Sequence, residues 1–168
     1  MDESFRLLTQ YLHVTSGILW LGGGFYTILV QLPALFAAPP AARGPVSAQL
    51  APRQIRYILR VAEFTLITGI LNLFATGRAQ QLLDPFAQRW SIVLGIGIIL
   101  AFALYALLRA TVVPWTYRML ELGPKAGGGD QAAAAEVGAI IRRIQNIARV
   151  QLVIGFLIIL MMVAARLS

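Results

Sequence analysis

The sequence predicts an all-α integral membrane four-helix bundle, and three observations carry the prediction. Of the 168 residues, 58% are hydrophobic and 12% are charged, and the mean hydropathy is +0.74. A soluble domain is about half apolar and about a quarter charged. Four runs approach the roughly 20 apolar residues with which a helix crosses a bilayer. No run alternates with period two, so the backbone must be satisfied within helices and not in a closed barrel. One domain is the default at this length, which leaves nothing over for a soluble catalytic unit.

The elements follow in order. "MDESFRLLTQ" is acidic where a signal peptide would be basic, and the next apolar run is too long for a signal-peptide core. A retained first span is therefore predicted at 12–36. Further spans are predicted at 57–76, 90–113 and 146–166. Between them, "AAPPAARGPVSAQLAPR" reads as a Pro/Ala-rich loop and "GRAQQLLDPFAQR" as a short polar loop. "ELGPKAGGGDQAAAAE" reads as a Gly-broken loop before an Ala-rich helix start. No internal repeat stands out. "GGGD" at 127–130 lacks the Lys-Ser/Thr of a phosphate loop, and "GIG" at 95–97 reads as close helix packing inside a span.

The net charge is +7, but the arginines gather at the ends of apolar runs, which points to the cytoplasmic side of a membrane and not to nucleic acid. Arg43, Arg53, Arg56, Arg118, Lys125, Arg142 and Arg143 lie in the first and third loops, whereas Arg6, Arg78, Arg89 and Arg166 lie on the other side. Both termini are thus predicted outside, and the two basic loops in the cytoplasm. Trp90 and Trp115 flank the third span as interfacial anchors.

Zero cysteines exclude disulfides, thiolate metal sites and covalent haem attachment, and one histidine limits an all-histidine site to one ligand per subunit. At about 100° per residue, His13, Ser16, Gly17, Trp20, Gly24, Thr27 and Gln31 share one stripe of the first helix. Polar groups are costly in hydrocarbon, so this stripe faces protein. The glycines beside Trp20 leave room either for a neighbouring helix or for a flat cofactor. On the second helix, Arg56, Arg60 and Glu63 share one face, and Thr65, Thr68, Gly69, Asn72 and Thr76 form another. Glu63 is the only acid well inside a span and needs a partner or a proton. Matching depths brings Arg60, Arg109, Arg149, Gln151 and Gln31 near its level. Two readings stand: an internal ion-pair cluster, or a polar relay through Glu63, Asn72 and Gln31 with arginines shaped to clamp the carboxylates of a tetrapyrrole. Near the outer face, His13 is placed level with Asn72, Thr76 and Ser91, and one turn from Met161 and Met162. Imidazole and thioether ligate haem iron and copper. No paired-carboxylate or Ser/His/Asp set shares a level, so hydrolysis is not indicated.

"HVTSGILWLGGGFY" resembles the first-helix signature of the HemJ-type protoporphyrinogen oxidases and of the copper-resistance D-type domains, with a His, a Trp seven residues on, a Gly patch and an aromatic pair. Here these are His13, Trp20, Gly22 to Gly24, Phe25 and Tyr26. "RYILRVAEFTLITG" and "RRIQNIARVQLVIGFLIILMMVA" are similar to the second and last helices of those proteins. The resemblance implies a four-helix membrane module that binds haem b, with His13 as axial ligand and Trp20 as a pocket wall, in a homo-oligomer and in a bacterial inner (cytoplasmic) membrane. The HemJ-type lysine and histidine of the third helix are missing from "RWSIVLGIGIILAFALYALLR", and Pro33 is followed by Ala34, not by Arg, so the reaction is left open. The expected function is that of a haem b-binding redox protein. Its second iron ligand is sought in Met161, in Met162 or in His13 of a symmetric second copy. The alternatives are an accessory subunit of a larger membrane complex and a copper-handling protein using His13, Met161 and Met162.

Overall fold

The computed structural model describes residues 2–82 and 89–167. The chain starts as α1 (Glu3–Tyr26), widens into a π turn (Thr27–Gln31) and runs on as α2 (Leu32–Ala37). The second rod is α3 (Pro40–Ala75), followed by the short α4 (Ala79–Leu82). The third comprises α5 (Arg89–Leu107), a second π turn (Leu108–Val112) and α6 (Val113–Gly127), and the last is α7 (Gln131–Leu167). The four rods are long and apolar enough to cross a membrane, and no strand occurs among the described residues. The protein is thus an all-α, multi-pass membrane bundle whose apolar outer side chains, such as Ile18, Ile67 and Ile99, face lipid.

The rods run well past the predicted spans. Residues 3–37 form a rod of about 52 Å at 1.5 Å per residue, against a hydrocarbon core of about 30 Å. The stretches read as the first and third loops are helical except for tight breaks at 38–39 and 128–130. The physical reason is alanine, which favours helix strongly enough to carry the segment. Pro39–Pro40 marks a start where a missing N–H costs nothing, and Pro45 and Pro52 are held inside α3. The break at 128–130 is made by Gly129, whose φ of 96° suits a residue without Cβ. Asp130 then caps α7, its carboxylate accepting from Ala133 N–H at 3.0 Å. The predicted second loop falls partly on 83–88, outside the described residues. Beside it, Gly77 turns the chain at φ 71° and Arg78 lies 5.2 Å over the Trp90 ring.

Both π turns have the same cause. Pro33 and Pro114 sit at the start of the segment that follows each turn, where a proline ring would collide with the carbonyl four residues back. The turn widens instead, so that Leu32 N–H reaches Thr27 O and Val113 N–H reaches Leu108 O, each five residues back. The two helical hairpins are therefore built alike: an outer rod, a π turn, a proline, a tight break and a long return helix. The sequence carries a trace of this. "RQIRYILRV" at 53–61 and "RRIQNIARV" at 142–150 keep Arg, Ile, Ile, Arg and Val at matching positions on the two return helices.

α1 packs along α3, α5 along α7, and α6 along the first half of α7. Trp20, Ala62, Ala101, Leu104 and Ile158 form one buried cluster and fix a common level on the four rods. A second cluster, Leu122, Ala133 and Ile140, closes the α6–α7 tip. Arg53, Arg109 and Arg149 stand eight or nine residues from the first cluster, roughly 12–14 Å along their helices, and Arg6 and Arg78 stand roughly 21–24 Å away in the other direction. A hydrocarbon layer fits between these two sets of charges, and the paired rods project beyond it on the side of the two tight breaks.

Candidate functional site

Two places gather polar groups inside the bundle. The first is built on His13, the eleventh residue of α1. Its ring lies against the bare backbone of Gly69 on α3, where an added Cβ would come 2.8 Å from His13 Cε1 and 3.1 Å from Nδ1. Nδ1 stands 3.0 Å from the carbonyl of Thr65. A carbonyl only accepts, so the proton sits on Nδ1 and the Nε2 lone pair is free. Nε2 has no hydrogen-bond partner. It is also not among the buried orphan atoms, of which Asn72 Oδ1 is the one found among the described residues. The imidazole is thus half-buried, oriented by a backbone acceptor, and open at the nitrogen that binds metals. That is the arrangement of a metal-ligating histidine whose second nitrogen is anchored. Gly69 is the position that makes it possible, because any larger residue would occupy the ring's place.

The register differs from the sequence expectation. His13 was placed level with Asn72 and Thr76, but it meets Thr65 and Gly69, one to two turns further along α3. The cause is the earlier start of α1 at Glu3, which slides the antiparallel pair. Met161 and Met162 belong to a different helix pair. A Cβ on Gly97 of α5 would come 3.0 Å from Met162 Cε and 3.2 Å from Met161 Cβ, so these side chains pack on α5. No contact joins them to His13, and no group of three or more metal-binding side chains occurs among the described residues.

The second place is a cavity of about 780 Å³ between the two buried clusters, lined by all four rods. Trp20 and Leu104 form its floor, Gly24 opens its wall, and both π turns face it through Thr27, Gln31, Leu108 and Val112. Gln31 Nε2 donates to Gln54 Oε1 at 2.7 Å, and Gln54 Nε2 donates to Gln31 Oε1 at 3.2 Å and to Thr27 Oγ1. Gln151 of α7 also lines the cavity, with no hydrogen-bond partner in the protein and no fully buried orphan atom. Its amide is therefore open to the cavity. The polar ring of Gln31, Gln54 and Gln151 sits at the level where the π turns displace the backbone.

The remaining predicted residues are spread over the outside. Arg60, Glu63, Arg109 and Arg149 are all exposed. Glu63, next to Ala62 at the level of the central cluster, accepts a 2.7 Å hydrogen bond from Tyr105 O–H. Arg149 reaches Asn146 at 3.4 Å. Arg60 lines a shallow hollow of about 360 Å³ with Leu12, Thr15, Ser16, Leu19, Val61 and Phe64. Among the described residues the ion pairs are those of Arg118 with Glu121 and Glu136, at the projecting tip. Glu63, Asn72 and Gln31 are not brought together: Glu63 and Asn72 stand nine residues, or about 13 Å, apart along α3, and Gln31 meets Gln54 still further off. Sequence reasoning did not single out Gln54 or Tyr105. The polar spacing around Pro33 and Pro114 was the signal available for the π-turn site.

Of the residues read as one cofactor pocket, Trp20, Gly24 and Gln31 line the cavity, while His13 lies seven residues beyond Trp20, about 10 Å along α1. The central cluster stands between them. Comparison with protein-family models, with curated proteins and with solved structures returns no match for this chain.

Proposed function

We propose that the chain is an integral membrane redox protein that binds haem b through His13, with two copies sharing one haem. The observation that carries this reading is the state of the imidazole: Nδ1–H is held by the Thr65 carbonyl and Nε2 is unpartnered and accessible. An imidazole buried only for packing would spend both nitrogens inside the protein. One chain supplies a single ligand of this kind, and Met161 and Met162 are spent on Gly97. A two-fold axis duplicates every side chain and so supplies the second imidazole. Arg60, on the same helix pair, is the cation best placed to meet a propionate. Bound there, haem b supplies one-electron transfer. The protein's own part is to fix the imidazole tautomer and its orientation.

The absorption spectrum of protein purified in detergent from haem-replete cells tests the proposal. A Soret band at one haem per two chains is expected, lost in His13→Ala with far-UV helix content unchanged. Protein without that band, or with a band indifferent to His13→Ala, would overturn it. Copper ligation by His13, Met161 and Met162 is the weaker proposal, since the methionines and the imidazole lie on different helix pairs. The accessory-subunit reading is favoured by one observation. Glu63 and Tyr105 place a polar pair on the outer surface at mid-bundle depth, where lipid contact is costly and a neighbouring protein would cover it. Co-purification of a larger subunit, lost in Glu63→Leu, is the result that supports that reading over haem binding.

A further inference from the structure

The cavity behind the π turns is separate from the His13 site, and its shape and lining have a chemistry of their own. It extends along α1 from Trp20 to Phe36, roughly 24 Å at 1.5 Å per residue, so that about 780 Å³ corresponds to a mean cross-section of roughly 30 Å². This is the form of a chain or a narrow ring system, and it lies within the volume range of small-molecule sites. The walls are apolar apart from one ring of neutral amides. Gln31 and Gln54 bond each other and Thr27, while Gln151 faces the cavity with its donors and its acceptor unspent. No acidic side chain lines the space, and its arginine, Arg43, lies beyond the far end of α2 and is tied by Nε to Ala38 O at 2.7 Å. A buried space with neutral donors and no neighbouring charge favours an uncharged ligand, because an ion would lose its hydration without a counter-charge. The backbone around the ring is also unusual. Two π turns, one from each hairpin, meet at this one level, and such turns recur where a helix is shaped around a ligand.

We infer that this cavity binds a neutral, single-chain lipophile bearing carbonyl or hydroxyl oxygens, with the oxygens on the glutamine ring and the apolar part directed to Trp20. Two sources share that chemistry: an isoprenoid-type quinone and a monoacylglycerol. The site is independent of haem binding, so His13→Ala is expected to leave it intact.

The test uses full-length protein in lipid nanodiscs, with Trp90 and Trp115 replaced by phenylalanine so that Trp20 reports alone. Decylubiquinone, a brominated monoacylglycerol and brominated oleate are titrated in turn as quenchers. Saturable quenching of Trp20 at one per chain by decylubiquinone or by the monoacylglycerol is expected, and which of the two binds identifies the source. Gly24→Phe fills the space at a position where a Cβ meets no atom within 4 Å. It is expected to weaken binding about tenfold or more, and Gln151→Leu about three- to tenfold, the loss of one hydrogen bond. Unsaturable quenching by all three probes overturns the proposal, as does quenching that is the same in Gly24→Phe. Oleate binding as tightly as the neutral probes overturns the neutral-head assignment.

Discussion

Replacing Gly69 by alanine tests the packing that positions His13. The new Cβ would stand 2.8 Å from His13 Cε1, whereas carbon atoms rest at about 3.5–4.0 Å. The ring must therefore withdraw by roughly 0.7–1.2 Å, which breaks the 3.0 Å contact of Nδ1 with Thr65 O. Overpacking of this kind costs about 1–3 kcal/mol and the lost hydrogen bond about 0.5–1.5 kcal/mol. Alanine returns about 1 kcal/mol through helix propensity. The net expectation is a destabilisation of roughly 0.5–3.5 kcal/mol. Gly22→Ala is the control, because its Cβ meets nothing within 4 Å and a gain of up to about 1 kcal/mol is expected. Unfolding by SDS in mixed micelles, followed by far-UV circular dichroism, measures both. Since the clash is with one ring, the His13→Ala/Gly69→Ala double variant recovers part of the loss, with a coupling energy of about 1 kcal/mol or more. Gly69→Ala as stable as the parent, or a coupling near zero, refutes the contact.

Three further outcomes follow from the same structure. Gln54→Leu removes the donor and acceptor that join Gln31 and Thr27 and is expected to cost about 0.6–1.7 kcal/mol, the range for polar contacts between membrane helices, in the same SDS titration. Arg118→Gln breaks the exposed pairs with Glu121 and Glu136, and no change in the SDS midpoint is expected at either low or high salt, because water and ions already screen them. The chain has no cysteine, so single cysteines report topology cleanly. In right-side-out vesicles a membrane-impermeant maleimide is expected to label Ser4→Cys and to leave Ala132→Cys unlabelled until the vesicles are opened, and the reverse pattern would invert the orientation drawn from the arginines.

Hydropathy made the four rods and their class legible because a bilayer imposes a length and a composition that few other structures share. It did not show where the helices end. Runs such as "AARGPVSAQLAPR" carry prolines that read as loop, while their alanines and the packing of paired rods keep them helical. The stripe on α1 was legible by period, and His13, Trp20, Gly24 and Gln31 all face protein along it. Its partner residues were not, because the sliding of α1 on α3 depends on where α1 begins, and that choice moved His13 from Asn72 to Gly69. Glu63 looked like an internal acid, but the spacing of Arg60 and Glu63 puts both on the outer face of α3. The division of one supposed pocket into two sites arises from the bulk of the central cluster, whose members come from four helices and have no common sequence signature.

The π turns carry a consequence for how the two outer rods tolerate changes in length. A π turn holds one residue more than the α-helical path requires, and the helix beyond it keeps the phase it would have had without that residue. A one-residue deletion within 27–31, or within 108–112, should therefore shorten the bulge into regular helix and leave both halves of the rod facing their present neighbours. The same deletion at residue 18 would turn everything after it by about 100°, carrying Gln31 away from Gln54. Length variation in this protein is thus confined to the two places where the rods already hold a spare residue.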